Sequence, residues 1–391
     1  MSSAAVVARW SCALALVLAA SCGGGSPPRQ RVRQLPPVDP RAVSEYRAGL
    51  QALSRGGPRA EERALEHFRA ATRLDPNLWE AHHDAGVLLR RRGDLREAIA
   101  AFERASRIQP AATEPLLALA EARLAVGDLR GAAEALAAHV ERNPDDADVR
   151  LAYASTLRRL GELDDALEQA REVLVRDASN VRALLEVGRI YRARRQWDVA
   201  ALVFRKALDL ARSASTASTP NATRPPSQPD TRLVATIHEE LGLLELGRGD
   251  TQAAFVELGR AIEADPRHVS AHVNQGSVLL RAGDFEGAVA ALRAALAIDP
   301  DDVDARTALG IALRGAGDHQ GARREWERVL ERAPRHAAAV FNLAILQAEF
   351  LGERRQSLER FRRFLELAGD DAPEREIAER YVREIESEGG G

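Results

Sequence analysis

Residues 269–300 read VSAHVNQGSVLLRAGDFEGAVAALRAALAIDP, and residues 79–110 read WEAHHDAGVLLRRRGDLREAIAAFERASRIQP. In both, a glycine stands midway through an apolar-periodic stretch, a Gly-Asp pair interrupts it, an alanine and then a large residue follow, and a proline closes the segment. The step is constant: Pro76, Pro110 and Pro144 are 34 apart, as are Pro266, Pro300 and Pro334. The Gly-acid pairs that begin at Gly93, Gly127 and Gly161, and at Gly249, Gly283 and Gly317, keep the same step. A fixed period of this length marks an array of supersecondary units. From Pro144 to Pro266 is 122 residues, three periods of 34 plus 20, so an insertion of about 20 residues interrupts the array. Residues 213–232, SASTASTPNATRPPSQPDTR, supply it; nearly devoid of apolar side chains, they have little to offset the entropy of ordering and are expected to be disordered.

Within each unit the helical pattern runs to Gly-Asp, restarts and ends before proline, which predicts a helix-turn-helix hairpin. Small residues recur where its helices A and B must approach: Gly86, Gly188, Gly242, Gly276 and Gly310 in the first, Ala98, Ala132, Ala166, Ala200, Ala254, Ala288 and Ala322 in the second. Four residues after most of those alanines stands a filler: Phe102, Leu136, Phe204, Leu258, Leu292 and Trp326. This pattern resembles the tetratricopeptide repeat. The resemblance implies an all-α, right-handed solenoid of about nine repeats, with clear units starting at Trp79, Thr113, Ala147, Val181, Ala235, Val269 and Val303. A degenerate first unit spans about Arg41 to Asn77, with a lengthened turn, and a degenerate last one begins near Ala337. After Pro373 a final helix, with Ile377, Tyr381, Val382 and Ile385 on one side, is expected to cap the apolar end. The expected organisation is block one over 41–212, the insertion over 213–232, block two over 233–372, and the cap and tail over 373–391.

Composition agrees with helix: 45% apolar, 29% charged and only 4% aromatic, with a net charge of -3 that speaks against nucleic-acid binding. Both cysteines, Cys12 and Cys22, precede the array, so its body holds no disulfide, thiolate metal site or cysteine nucleophile. Arg9 is the only charge before residue 29 and precedes an apolar run from Cys12 to Ala20, too short to cross a bilayer and suited to a signal peptide over 1–21. The sequence Leu18-Ala19-Ala20-Ser21-Cys22 resembles the lipobox of bacterial lipoproteins, which implies lipid on Cys22, followed by a Gly/Pro-rich tether over 22–40. An ordinary cleaved signal peptide, giving a secreted or soluble periplasmic protein, is the alternative.

No Ser/His/Asp set, phosphate loop or His-Glu-x-x-His motif occurs, so no catalytic residue, cofactor, metal or small-molecule substrate is expected. His268 and His272 lie four apart but lack a third ligand, and Arg248-Gly249-Asp250 falls on the repeat turn rather than in an adhesion loop. What remains is surface. The resemblance implies that helix A lines a concave groove for a protein or peptide partner. The fifth and sixth residues of the units then become the candidates: Leu117, Leu151 and Leu185 as an apolar stripe, and Glu240, Asn274 and Asn342 as a polar wall. The three leucines could equally serve packing between repeats. In peptide-binding members of the family, asparagine at the sixth position bonds an extended ligand backbone; here Asn274 and Asn342 match, with Ala308 between them. The expected function is a non-enzymatic interaction scaffold, held to the outer membrane through Cys22 and facing the periplasm. Alternatives are a pilotin-like assembly factor for a type IV pilus or secretin, and an enzyme-accessory or cell-wall-binding module.

Overall fold

The computed structural model describes residues 38–57, 59–213 and 230–388. The signal segment, Cys22, most of the tether and most of the insertion therefore lie outside the described residues. Among the described residues there are nineteen helices and no strand. They fall into two compact units that divide within one helix, one ending at Gln169 and the other starting at Ala170.

The first unit contains α1 (Pro40–Arg55), α2 (Ala60–Leu74), α3 (Trp79–Arg91), α4 (Leu95–Ile108), α5 (Thr113–Ala125), α6 (Leu129–Arg142) and α7 (Ala147–Leu160), and the division falls in α8 (Leu163–Arg176). The second contains α9 (Val181–Ala193), α10 (Trp197–Ser213), α11 (Thr231–Arg248), α12 (Thr251–Ala264), α13 (Val269–Ala282), α14 (Phe285–Ile298), α15 (Val303–Gly315), α16 (His319–Arg332), α17 (Ala337–Glu349), α18 (Arg354–Leu367) and α19 (Arg375–Glu388). Helix A starts at the residue the period predicts in every clear unit except one: α11 begins four residues early, at Thr231, because Asp230 caps it by accepting from the Leu233 N–H.

One residue pair builds each turn. Gly249 and Gly283 cap their helices and Gly317 follows the Ala316 cap of α15, at φ of 86, 78 and 83°, a left-handed conformation that glycine adopts without strain. The following aspartate closes the helix behind it and opens the next. Asp284 donates its N–H to the Leu279 carbonyl at 3.0 Å, while its carboxylate accepts from the Gly287 N–H at 2.9 Å. Asp250 does the same with Glu245 and Ala253, so Arg248-Gly249-Asp250 is a helix junction. The fourth clear turn departs from the rule: Arg195 holds the glycine position at φ 57°.

Six hairpins close on glycine, and Ala120, Ala154 and Ala344 hold the equivalent position in three others. A Cβ on Gly86 would lie 2.6 Å from the Phe102 ring, and one on Gly276 would lie 2.7 Å from Leu292 Cγ, so each helix A approaches helix B by lacking a side chain there. The partners are 16 residues apart in these units, and 19 apart for Gly49 and Phe68, where the first turn is longer. The repeated alanines of helix B and the large residues that follow them, from Phe102 to Trp326, are fully buried. A second glycine contact joins successive hairpins: Gly247 of α11 abuts the Trp197 indole of α10, and Gly315 of α15 abuts the Phe285 ring of α14. The Trp197 contact spans the insertion. Leu185, Phe204, Leu208, Ile237, Leu241 and Leu244, from both sides of residues 213–232, share one core.

A polar device recurs between hairpins. His82 and His272 each donate Nε2–H to the carbonyl of the proline six residues earlier, at 3.1 Å, and Arg150 and Arg306 donate to the equivalent carbonyls of Pro144 and Pro300 at 2.9 and 2.5 Å. At the C-terminal end, α19 buries Ala378 and Ile385 against Val340, Ala344, Phe361 and Phe364, with Tyr381 stacked on Phe361 at 4.8 Å. Ile377 does not join that face as the sequence suggested. It is 38% exposed, and Ala378, one helical step round, is buried in its place.

Two glycine substitutions should move stability in opposite directions. Gly276→Ala forces a methyl against Leu292 and should lower stability by about 1–3 kcal/mol. Gly259→Ala, inside α12 with nothing within 4 Å of the added methyl, should raise it by about 0.5–1 kcal/mol. Thermal melts of the two variants, read by circular dichroism, check both signs.

Candidate functional site

The leucines do not form an exposed stripe. Leu185 is 4% exposed within the core shared by α9, α10 and α11, Leu151 is 7% exposed, and Leu117 is half-buried against the cluster of Leu116, Leu136 and Val149. Successive residues of a helix turn by 100°, so a fifth residue can point at the neighbouring hairpin as readily as at open surface. The packing alternative is the one the structure shows.

Glu240 is also largely buried, at 6% exposure, and it is the hub of an ion cluster. Arg189 Nε donates to Glu240 Oε1 at 2.6 Å, Arg192 Nη2 lies 3.2 Å from Oε2, and Glu186 lies 3.5 Å from Arg189. Burial on its own would depress the Arg189 guanidinium, but the charges and hydrogen bonds of Glu240 and Glu186 outweigh it and hold Arg189 above its ordinary value. This cluster joins helices from both sides of the insertion. Sequence reasoning singled out Glu240 as groove wall and missed its arginines; the available signal was two arginines three apart, at 189 and 192, facing an acid one unit on.

Asn274 lies at a more open place. Its Nδ2 donates to Glu239 Oε1 at 2.9 Å, and Glu239 Oε2 accepts from His268 Nε2 at 2.8 Å. Asn274, His268, Ser270, Val273, Thr236 and Asp304 are among the residues that line a cleft of about 750 Å³. Arg232 and Arg267 add positive charge to the rim, Asp265 and Asp302 negative charge. His268 and His272 do not converge: the first bonds Glu239 and the second the Pro266 carbonyl. Asn342 stands apart from the cleft, half-buried, with Nδ2 donating to the Ala338 carbonyl at 2.8 Å. Half-buried apolar side chains accompany both asparagines along helix A: Val273 and Leu280 on α13, Ile311 on α15, Phe341 and Ile345 on α17.

The tetratricopeptide repeat profile matches residues 46–113, 154–215 and 235–303, and a second profile of the same repeat matches 89–156 and 279–343. The chain belongs to the tetratricopeptide repeat family. One solved structure agrees on the fold. A tetratricopeptide repeat protein from Parabacteroides merdae is 15% identical with a TM-score of 0.55, covering 70% of this chain and 98% of that one. Yeast Tom70 is 12% identical at a TM-score of 0.44, covering 89% of this chain and 96% of its own. YrrB, described as a TPR protein with an unusual peptide-binding site, is 22% identical at a TM-score of 0.34, covering 53% and 97%. No curated protein matches the sequence. Tetratricopeptide arrays bind protein or peptide partners, and the array here offers two helix A surfaces of different kind in its second unit: a closed ion cluster around Glu240 and an open polar cleft beside Asn274.

The carboxylates of this region set a pH dependence. Burial pushes Glu239 and Glu257 up, but hydrogen bonds from His268 and Ser270 to the first, and from His238 to the second, outweigh it and leave both below the ordinary value of 4.5. A lowered folded-state value contributes stability that is present above 4.5 and is lost as the pH falls through the lowered value. Melting temperature should therefore fall as the pH drops below 4.5, and Glu239→Gln, which melts lower at neutral pH, should show a shallower decline there.

Proposed function

We propose that this tetratricopeptide array is a non-enzymatic interaction scaffold, anchored by lipid on Cys22 to the outer membrane of a bacterial envelope and facing the periplasm, that holds an extended segment of a partner protein along helix A of its second unit. The observation that carries the binding reading is the cleft beside Asn274. Its Thr236, Ser270 and Asn274 side chains are hydrogen-bonding groups of the kind that satisfy an extended backbone, and Val273 supplies an apolar contact among them. The anchor is supported by the Ala-Ala-Ser-Cys site and the Gly/Pro-rich stretch after it, which would leave the array free of the membrane by a tether on the order of 25 Å. Two or more acyl chains give stable attachment where one does not.

A second reading has one observation in its favour: a cleft of about 750 Å³ with arginine, aspartate, serine and asparagine on its walls is also of a size for a polar small ligand such as a cell-wall fragment. Photo-crosslinking from a benzoylphenylalanine at position 270 separates the two. The scaffold reading expects a discrete crosslinked polypeptide in envelope fractions. It also expects Asp304→Trp, at a side chain 93% exposed, to reduce that band by about tenfold with melting unchanged. Absence of any crosslinked polypeptide, with saturable binding of cell-wall fragments, would establish the second reading instead. In the same preparations Cys22→Ser should leave the membrane pellet yet keep the crosslink; a variant that still pellets refutes the lipid anchor alone.

A further inference from the structure

Repetition lets equivalent positions be compared within one chain. In three hairpins the fourth residue of the unit, on helix A, meets the seventh residue of its own helix B in a polar contact. Arg150 Nη1 donates to Gln169 Oε1 at 2.6 Å, His238 Nδ1 to Glu257 Oε2 at 2.7 Å, and Arg306 Nη1 to Glu325 Oε2 at 2.8 Å. The last hairpin breaks the rule. Its helix B carries Arg360 at the seventh place, and its helix A offers Val340 at the fourth. Arg360 instead donates from Nε to Gln347 Oε1 of α17 at 2.7 Å, and no ion pair reaches it among the described residues.

Arg360 borders a cleft of about 420 Å³ whose other lining residues are Arg323 of α16, Gln347 of α17, and Gln356, Glu359 and Arg363 of α18. The walls are held in place from behind. Arg323 donates to Glu327 and to Glu353 at 2.9 Å each, and Gln347, 3% exposed, donates from Nε2 to Glu353 at 2.8 Å. Arg363 gives Nη2 to the Pro334 carbonyl at 2.5 Å, a neutral partner that leaves its charge unmatched. Glu359, exposed, is the one acid on the lining against Arg360 and Arg363. The counterpart cleft of the first unit, also about 420 Å³, has Ala135 and Ala138 at those two places, and Arg123, the counterpart of Gln347, closes on Glu103 at 2.6 Å. Its floor charge is matched from within; that of the last hairpin is not.

Burial pushes the Arg360 guanidinium below its ordinary value, and the charges of Arg323 and Arg363 push the same way against the pull of Glu327 and Glu359. A cation partly withdrawn from water among like charges gains from an incoming anion. Arg360 spends Nε on Gln347 and Arg363 spends Nη2 on Pro334, so each keeps further N–H donors, and Gln356 adds an amide. That is more donors, and more charge, than one carboxylate uses. A phosphate, with three free oxygens and up to two charges, uses both guanidinium groups.

We propose that this cleft is a phosphate-binding site in which Arg360 and Arg363 hold a phosphate monoester, carried by a soluble compound or by an anionic lipid headgroup. It shares no residue with the cleft beside Asn274, and the scaffold reading stands or falls without it.

Isothermal titration calorimetry on the full chain tests the site with three probes: orthophosphate, dihexanoylphosphatidic acid below its micellar concentration, and acetate. At least one of the two phosphates should bind saturably, with acetate at least about tenfold weaker. Similar affinities for both phosphates point to a soluble ligand, and a lipid at least about tenfold tighter points to a headgroup. Arg360→Gln should weaken phosphate binding at least about tenfold, and Arg363→Gln, at an exposed side chain, should do the same with melting unchanged. Glu359→Gln should tighten it by removing the opposing charge, and Arg355→Gln, at an exposed arginine of α18 outside the lining, should leave it as it was. No saturable binding of either phosphate, acetate binding as well as phosphate, a folded Arg363→Gln that binds normally, or an equal loss in Arg355→Gln overturns the site.

Discussion

The array depends on how closely helix A can lie against helix B, and in six of its hairpins that distance is set by a side chain that is not there, with alanine in the place elsewhere. A ring or a leucine from helix B enters the space left by glycine in helix A, at Gly86 and Phe102, Gly276 and Leu292, and Gly49 and Phe68. Close packing transmits such a fit: once the pair is seated, the alanines four residues earlier on helix B are driven into full burial. The same solution is reused between hairpins, where Gly247 receives Trp197 and Gly315 receives Phe285. Size is traded across a contact, large against absent, and the trade recurs with the period of the sequence.

This is why so much of the fold was legible beforehand. Turn glycines, capping aspartates and the fillers of helix B are local or separated by a fixed 16 residues, so one period exposes them all. The fifth and sixth residues of helix A were harder, because their surroundings come from another hairpin whose crossing angle the period does not state. Leu151 and Leu185 turned inward for that reason, and Glu240 drew its partners from Arg189 and Arg192, 51 and 48 residues away across an insertion. The contact of Gly247 with Trp197 also escaped notice, since a glycine at the end of a helix reads first as a stop signal.

Charge in the second unit follows the same repeated frame with deliberate variation. At one seam Glu240 closes two arginines into a cluster largely removed from water; at another Asn342 stands where that acid would be. A buried ion pair contributes little net stability over an apolar one, so its presence at the seam beside the insertion is better understood as fixing which helix meets which.

The seating of Trp197 against Gly247 bears on how such a protein can be rebuilt. Ser213 ends α10 and Asp230 caps α11, and these two helices meet through Trp197, Gly247 and a shared core. Closing a flexible connection costs only about 0.6 kcal/mol for each doubling of its length. The junction is therefore a natural port: a reporter, an epitope or a whole foreign domain could be spliced between these ends, and lineages carrying this array would be free to lengthen or replace the connection while the helices on either side kept their register.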